Sequence, residues 1–289
     1  MSRKWATMIA CGAVFAATLH QWSTASGAPG DHNYTSAHVV QFNAWGGRGN
    51  ATTGFNVEVA DAIITSILNR PSYPYAVSLN EICESQWARI QWILGVNGRN
   101  YSSSNSSGYQ YSSMPSLGTY SNTTIGNATL HPSCGAWYGN GLMMRGAYTS
   151  SGGADWFNSQ APSSSGELRN WNCKSTLMVS VVCNTHLAPG ATSYTFAQDT
   201  EFRNIALYVS GNGVVAMGDF NYQSSSSLAM VGWLFTAGFM GSDSSNLMMS
   251  TSDYGALDRQ WRKNPNAWGH NAYISNSPYS DHHWLQGYL

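Results

Sequence analysis

The stretch from Val214 to Asn221, Val-Val-Ala-Met-Gly-Asp-Phe-Asn, runs a short apolar segment directly into a glycine, a carboxylate and a carboxamide. Val214, Val215, Ala216 and Met217 do not alternate with polar residues, so they suit a central strand covered on both faces. Gly218 lets the backbone leave that strand by a path closed to most residues. Asp219 and Asn221, two positions apart, place two oxygens at the strand's C-terminal end, where open α/β sheets commonly bind ligands. Taken alone, the pattern describes a polar turn equally well.

Four further stretches repeat the arrangement of a strand followed by a polar end: Gln41-Phe42-Asn43, Leu79-Asn80-Glu81, Asn184-Thr185-His186-Leu187 and Ser280-Asp281-His282. In this order the five resemble the endonuclease/exonuclease/phosphatase superfamily. Its members include pancreatic-type deoxyribonucleases, abasic-site endonucleases, bacterial sphingomyelinases, inositol-polyphosphate phosphatases and the nuclease subunit of cytolethal distending toxin. The resemblance spans about residues 38 to 289. It implies an α/β fold, a four-layer α-β-β-α sandwich of two mixed sheets flanked by helices; periodicity alone gives only mixed α and β.

Composition bounds the reading. A chain of 289 residues accommodates one large α/β domain. Residues 1–27 have the organisation of a secretory signal: Arg3 and Lys4, an apolar run from Ala6 to Leu19, then small residues from Ser23 to Ala28. That run is too short for a membrane span, and no second one follows. The expected organisation is thus a signal at 1–27 and a single catalytic domain at 28–289, secreted and monomeric. Loss of Arg3 and Lys4 leaves 11 basic residues against 14 acidic, a net charge near −3. No broad basic surface exists to drive nonspecific nucleic-acid binding. An enzyme that meets phosphate with a metal cation remains compatible.

Cysteine usage agrees with export. Beyond Cys11 there are Cys83, Cys134, Cys173 and Cys183, without the paired spacing of a zinc site. Three pairings are open; proximity along the chain favours Cys83 with Cys134 and Cys173 with Cys183, the latter joining Trp171–Lys174 to Val179–Cys183 as two arms of a hairpin. Elsewhere, spacing predicts strands at Val39–Phe42, Tyr75–Leu79, Gly139–Arg145 and Ser175–Asn184. Helices are expected at Phe55–Arg70, Glu84–Leu94, Tyr194–Val209 and Leu228–Ala237, with closing strands at Asp258, Asn271–Ser275 and the C-terminus. Asn97–Ser133 and Ser151–Asn170, rich in serine and glycine, read as loops, the first with short strands that periodicity does not place.

The resemblance assigns roles to the polar strand ends. Glu81 corresponds to the metal-binding glutamate of a Gln-Glu motif, although Asn80 here replaces the glutamine and shortens its reach. Asn43 assists metal or phosphate binding, and Asp281 is a metal or neighbouring ligand. Oxygen ligands without thiolates suit Mg²⁺, with Mn²⁺ and Ca²⁺ compatible. Asp219 orients or deprotonates the attacking water, and Asn221 steadies the phosphate. His186 and His282 share acid and base duties, in an order the sequence leaves open, with Asp258 setting the tautomer of His282. Arg145 is the leading candidate for substrate-phosphate contact and Arg48 the second. The expected activity is hydrolysis of DNA, with RNA a related substrate. A sphingomyelinase-like phospholipid phosphodiesterase, a toxin subunit with a delivery partner chain, and a non-catalytic binding protein are the alternatives.

Overall fold

The computed structural model describes residues 38–44, 57–68, 74–83, 85–87, 89–90, 109–111, 117–118, 120–121, 128–129, 138–145, 148–162, 168–176, 181–209, 213–222, 233, 239–241, 257–263, 273–275, 280, 282 and 284–288. The chain divides into two units, Met1–His32 and Asn33–Leu289, and every described residue belongs to the second.

Two helices are described along their length, α1 (Val57–Leu68) and α2 (Ser193–Val209), and residues 85–87 and 89–90, within the expected helix Glu84–Leu94, are helical as well. The strands are β1 (His38–Asn43), β2 (Ala76–Cys83), β3 (Tyr109–Tyr111), β4 (Leu117–Gly118), β5 (Tyr120–Ser121), β6 (Ala128–Thr129), β7 (Tyr138–Arg145), β8 (Tyr148–Trp156), β9 (Asn170–Thr176), β10 (Val181–His186), β11 (Val214–Asp219), β12 (Met240–Gly241), β13 (Asp258–Lys263), β14 (Tyr273–Ser275) and β15 (Trp284–Tyr288). One sheet has the order β14-β15-β1-β2-β7-β3, with β4 also on β7; the other has the order β12-β13-β11-β10-β9-β8. β5 and β6 form a separate ribbon.

Each sheet is built around one parallel pair. β1 and β2 run parallel across α1, and β10 and β11 run parallel across α2. A β-α-β crossover packs its helix on one face of the sheet and leaves the other face to be buried. On α1, Val59, Ala60, Ile63, Ile64 and Ile67 recur at helical spacing and pack with Val40, Phe42, Val77, Leu79 and Met143 of the first sheet. Complete burial of Ile63 and Ile67 contributes about 2–3 kcal/mol each. α2 starts at a reciprocal cap: Thr195 N donates to Thr192 Oγ1 (3.2 Å) and Thr192 N to Thr195 Oγ1 (3.4 Å). Its Phe202 and Ala206 pack against Val214, Ala216 and Trp261 of the second sheet.

A third cluster lies between the sheets and includes Val39, Ala76, Leu142, Met144, Val182, Val215 and Met217. The layers therefore run α1, first sheet, second sheet, α2, as the resemblance implied. Strand periodicity sends alternate residues into the space between the sheets. Their chemistry changes along each strand: Val39 to Gln41 to Asn43 on β1, Ala76 to Ser78 to Asn80 on β2, Val182 to Asn184 to His186 on β10, and Val215 to Met217 to Asp219 on β11. All twelve are buried. The sandwich is apolar at one end and polar at the other.

The structure extends or relocates several expected elements. β2 continues through Asn80 and Glu81 to Cys83, and β8 crosses 148–156, so that its part from Ser151 on lies in the stretch read as a loop. Among the described residues β8 is the last strand of its sheet and pairs with β9 alone, so its serines and glycines need not follow the apolar pattern of a central strand. Of the expected helix at 228–237, only Trp233 lies among the described residues. Cys173 and Cys183 face each other across β9 and β10 and form a disulfide. Cys83 is also disulfide-bonded; Cys134 lies outside the described residues. The Cys173–Cys183 link closes a loop of separation 10, worth about 3 kcal/mol in a chain-entropy account. Replacing both cysteines with serine should lower unfolding stability by about that amount, measured by urea denaturation; an unchanged midpoint would show that the hairpin does not depend on the link.

Candidate active site

The parallel strands deliver their polar ends side by side. Asn43 is opposite Asn80 in the β1–β2 register. In the second sheet His186 pairs with Asp219, and Asp219 with Asp258, so three site residues lie in one row across β10, β11 and β13. His282 comes from the approach to β15, the antiparallel neighbour of β1.

Two backbone irregularities aim the side chains. The β2–β7 register shifts between Leu79 and Ile82, and Glu81 within that shift has φ 53°. Asn221, just beyond β11, has φ 56°. Left-handed conformations at residues other than glycine cost about 1–3 kcal/mol and gather at functional sites. Gly218 has φ 150°, and a Cβ there would run into the carbonyl of Thr185, so the glycine permits the close approach of β10 and β11 directly before Asp219.

Several of the contacts cross from one sheet to the other. Asn43 Nδ2 donates to Asp219 Oδ2 (2.9 Å) and to Glu81 Oε1 (3.3 Å). His186 Nε2 lies 3.6 Å from Asp219 Oδ2 and 3.7 Å from Glu81 Oε1. His282 Nδ1 is 2.7 Å from Asp258 Oδ2, while its Nε2 is 3.7 Å from Asp219 Oδ2. The Asp258 contact fixes the ring so that Nε2 faces Asp219. Asn221 contributes its backbone N–H to Asp219 Oδ1 (2.8 Å) and its side-chain nitrogen to the Leu187 carbonyl (2.8 Å).

One cation at this site was not singled out from the sequence. Arg169, immediately before β9, puts Nη1 2.6 Å from each ring nitrogen of His186. Nothing in Glu-Leu-Arg-Asn marks it as a strand end; the usable signal was its place immediately before Asn170, the first residue of a strand paired with β10. Arg48 lies outside the described residues, as does Asp281. Arg145 ends β7, and its side chain also lies outside them.

The electrostatics separate the titratable groups. Burial pushes the Asp219 carboxyl up to about 6; the nearby Asp258 pushes the same way, and His282 and the hydrogen bonds from Asn43 and Asn221 oppose it. Burial, then the charge of Arg169, then His282 hold His186 well below the ordinary histidine value. His186 is therefore a neutral imidazole near pH 7, beside a carboxyl that gains and loses its proton just below neutrality.

Oxygen donors dominate the set: two carboxylates in Glu81 and Asp219 with the Asn43 amide between them. The described cysteines are all in disulfides, so the donor chemistry fits a hard divalent cation. Asp219, Asp258 and His282 bring one donor atom each within 4.8 Å of one another. Asp258 already accepts from His282 at Oδ2 and from Gln41 at Oδ1 (3.2 Å), whereas Glu81 Oε1 and Asp219 Oδ2 share one donor, Asn43 Nδ2, which favours Glu81 over Asp258 as a ligand; Asn43 can contribute only through its Oδ1. Removing the guanidinium beside His186 should raise the histidine's pKa. In Arg169→Ala, the His186 ring protons, followed by NMR against pH, should titrate at higher pH than in the wild type. A titration that does not move would show that the cation does not act on the ring.

No protein-family profile and no curated protein matches the sequence. Solved structures do match. An endonuclease/exonuclease/phosphatase from Beutenbergia cavernae superposes with a TM-score of 0.60 at 17% identity, over 88% of this chain and 71% of that one. The human Nocturnin catalytic domain, solved with a bound sulfate anion, gives 0.57 at 14% identity over 89% and 94%. A mannosyl-6-phosphatase from Bacteroides thetaiotaomicron gives 0.59 at 12% identity over 88% and 100%. With two mixed sheets stacked between helices and polar ends gathered at one edge, the chain has the endonuclease/exonuclease/phosphatase fold.

Proposed function

We propose that this chain is a divalent-metal-dependent phosphodiester hydrolase whose substrate is DNA. The observation that carries the reading is the convergence of Asn43, Glu81, His186, Asp219, Asp258 and His282, from six separate places in the chain, into contacts of 2.7 to 3.7 Å. A scaffold kept only for binding has no need to bury four titratable groups against one another. The sulfate in Nocturnin and the phosphatase activity named for the Bacteroides protein lend support, since both concern tetrahedral oxyanions on this fold.

Glu81 and Asn43 would hold the cation, joined by Asp281; when bound, such an ion offsets charge on phosphoryl oxygens. Asp219 is the base. Its carboxyl, raised to about 6, is ionised at neutral pH yet basic enough to take a proton from water. His282, oriented by Asp258, faces the same carboxylate oxygen and steadies charge beside it. His186, neutral, donates a hydrogen bond to the phosphate or its leaving oxygen, and Arg169 adds positive charge there. Asn221 holds Asp219 in place and borders the phosphate; Arg48 and Arg145 remain further phosphate contacts in this proposal. Residues 1–27 would act as an export signal, consistent with the disulfides.

Plasmid nicking by the chain purified with Mg²⁺ tests the reading. Cleavage should stop with chelator and fall by about 10²–10⁴-fold in Asp219→Ala and His282→Ala. It should also decline as pH drops through about 6, because protonated Asp219 no longer accepts a proton. Intact plasmid alongside phosphocholine release from sphingomyelin would move the substrate to phospholipid. Release from p-nitrophenyl phosphate alone would move it to monoesters.

A further inference from the structure

Below the site, the space between the sheets is filled by carboxamides instead of hydrocarbon. Asn80 stands at the centre. Its Oδ1 accepts from Gln41 Nε2 (2.6 Å) and from the backbone N–H of Asp219 (2.9 Å). Its Nδ2 lies within hydrogen-bond reach of Asn140 Oδ1 (2.8 Å), the Thr185 carbonyl (2.9 Å) and Asn184 Oδ1 (3.1 Å). Asn184 returns the arrangement from the opposite sheet, donating to the carbonyls of Leu79 (3.1 Å) and Gly141 (2.9 Å). Gln41 carries the connection on to Asp258 Oδ1.

These bonds end on the backbone beside the reacting groups. Asp219 N–H belongs to the proposed base itself, and the Thr185 carbonyl directly precedes His186. Asn80 is itself followed by Glu81. Apolar contacts between stacked sheets are non-directional and tolerate sliding, whereas a buried amide satisfied on both ends admits one separation and one register. We infer that Asn80 is a positioning residue: its amide, bonded across the sandwich to Asp219 N–H and Thr185 C=O, sets the gap between the Glu81–Asn43 half of the site and the His186–Asp219 half. The inference rests on the proposed hydrolase reading. It also accounts for asparagine rather than glutamine at this position: one more methylene would place the same amide about 1.5 Å farther out, past the acceptors it now meets.

Three variants and two measurements test it. Asn80→Gln keeps the amide and shifts it, Asn80→Ser removes it, and Val182→Ala opens an apolar cavity between the same sheets away from the amides. Cleavage of bis(p-nitrophenyl) phosphate with Mg²⁺ is measured below the lowest unfolding temperature of the set. Both Asn80 variants should lose about 100-fold in kcat with KM little changed, while Val182→Ala, with a comparable stability loss, stays near wild type. Hydrogen exchange on the free protein reads positioning without any activity. Protection of the Asp219 amide should fall by about tenfold or more in Asn80→Ser, with Val215 and Met217 unchanged. Wild-type kcat in Asn80→Gln, equal kcat losses in Asn80→Ser and Val182→Ala, or unaltered Asp219 exchange would overturn the assignment. If the wild type cleaves no phosphoester, the hydrolase reading fails and the exchange measurement alone decides the role of Asn80.

Discussion

A carboxamide buried between two sheets costs several kcal/mol unless its donors and acceptors are met. Here the cost is offset from both sides: Asn80 meets Thr185 and the Asp219 N–H of the second sheet as well as Gln41 and Asn140 of its own, and Asn184 donates to carbonyls of the first. Each sheet supplies the groups the other needs, so the polar end of the sandwich has one favourable alignment. The contacts of the candidate site that join the two sheets depend on that alignment because they span the same gap. Asn43 meets Asp219, and His186 meets Glu81, only while β1 and β2 stand opposite β10 and β11.

The apolar layers have a different part. Ile63 and Ile67 on α1, and Phe202 and Ala206 on α2, hold each helix on its sheet and each crossover in its hand. The clusters account for the bulk of the burial without specifying the site to a fraction of an ångström. Precision comes from directional bonds and from the few positions where the backbone departs from regular strand geometry: Glu81 and Asn221, which are strained, and Gly218, where glycine permits the departure. Local strain of this kind persists because the surrounding strands over-determine it.

Asp219 shows how placement becomes chemistry. In water its carboxyl would be a weak base. Burial, with Asp258 nearby, raises it to about 6 against the opposing hydrogen bonds from Asn43 and Asn221, while burial and then the charge of Arg169 move His186 the opposite way. Two titratable groups 3.6 Å apart thus have separate protonation states at neutral pH, the condition for dividing base and hydrogen-bond donor between them.

Much of this was legible in the chain. A strand ending in polar residues is a local pattern with period two, so Val214–Asp219, Val39–Asn43 and Asn184–His186 identify themselves, and the identities of Glu81, Asp219, His186 and His282 are readable at their ends. The sequence also determined the helical stripe of α1 and favoured the Cys173–Cys183 pairing among three, both products of near neighbours, and the structure decided the pairing. What only the tertiary structure decided lies across long separations. Asn80 meets Asp219 from 139 residues away and Thr185 from 105, Gln41 meets Asp258 from 217, and Arg169 reaches His186 from an adjacent strand. Such pairings are set by how the two sheets stack and by which strands lie side by side, and no local period in the chain encodes either.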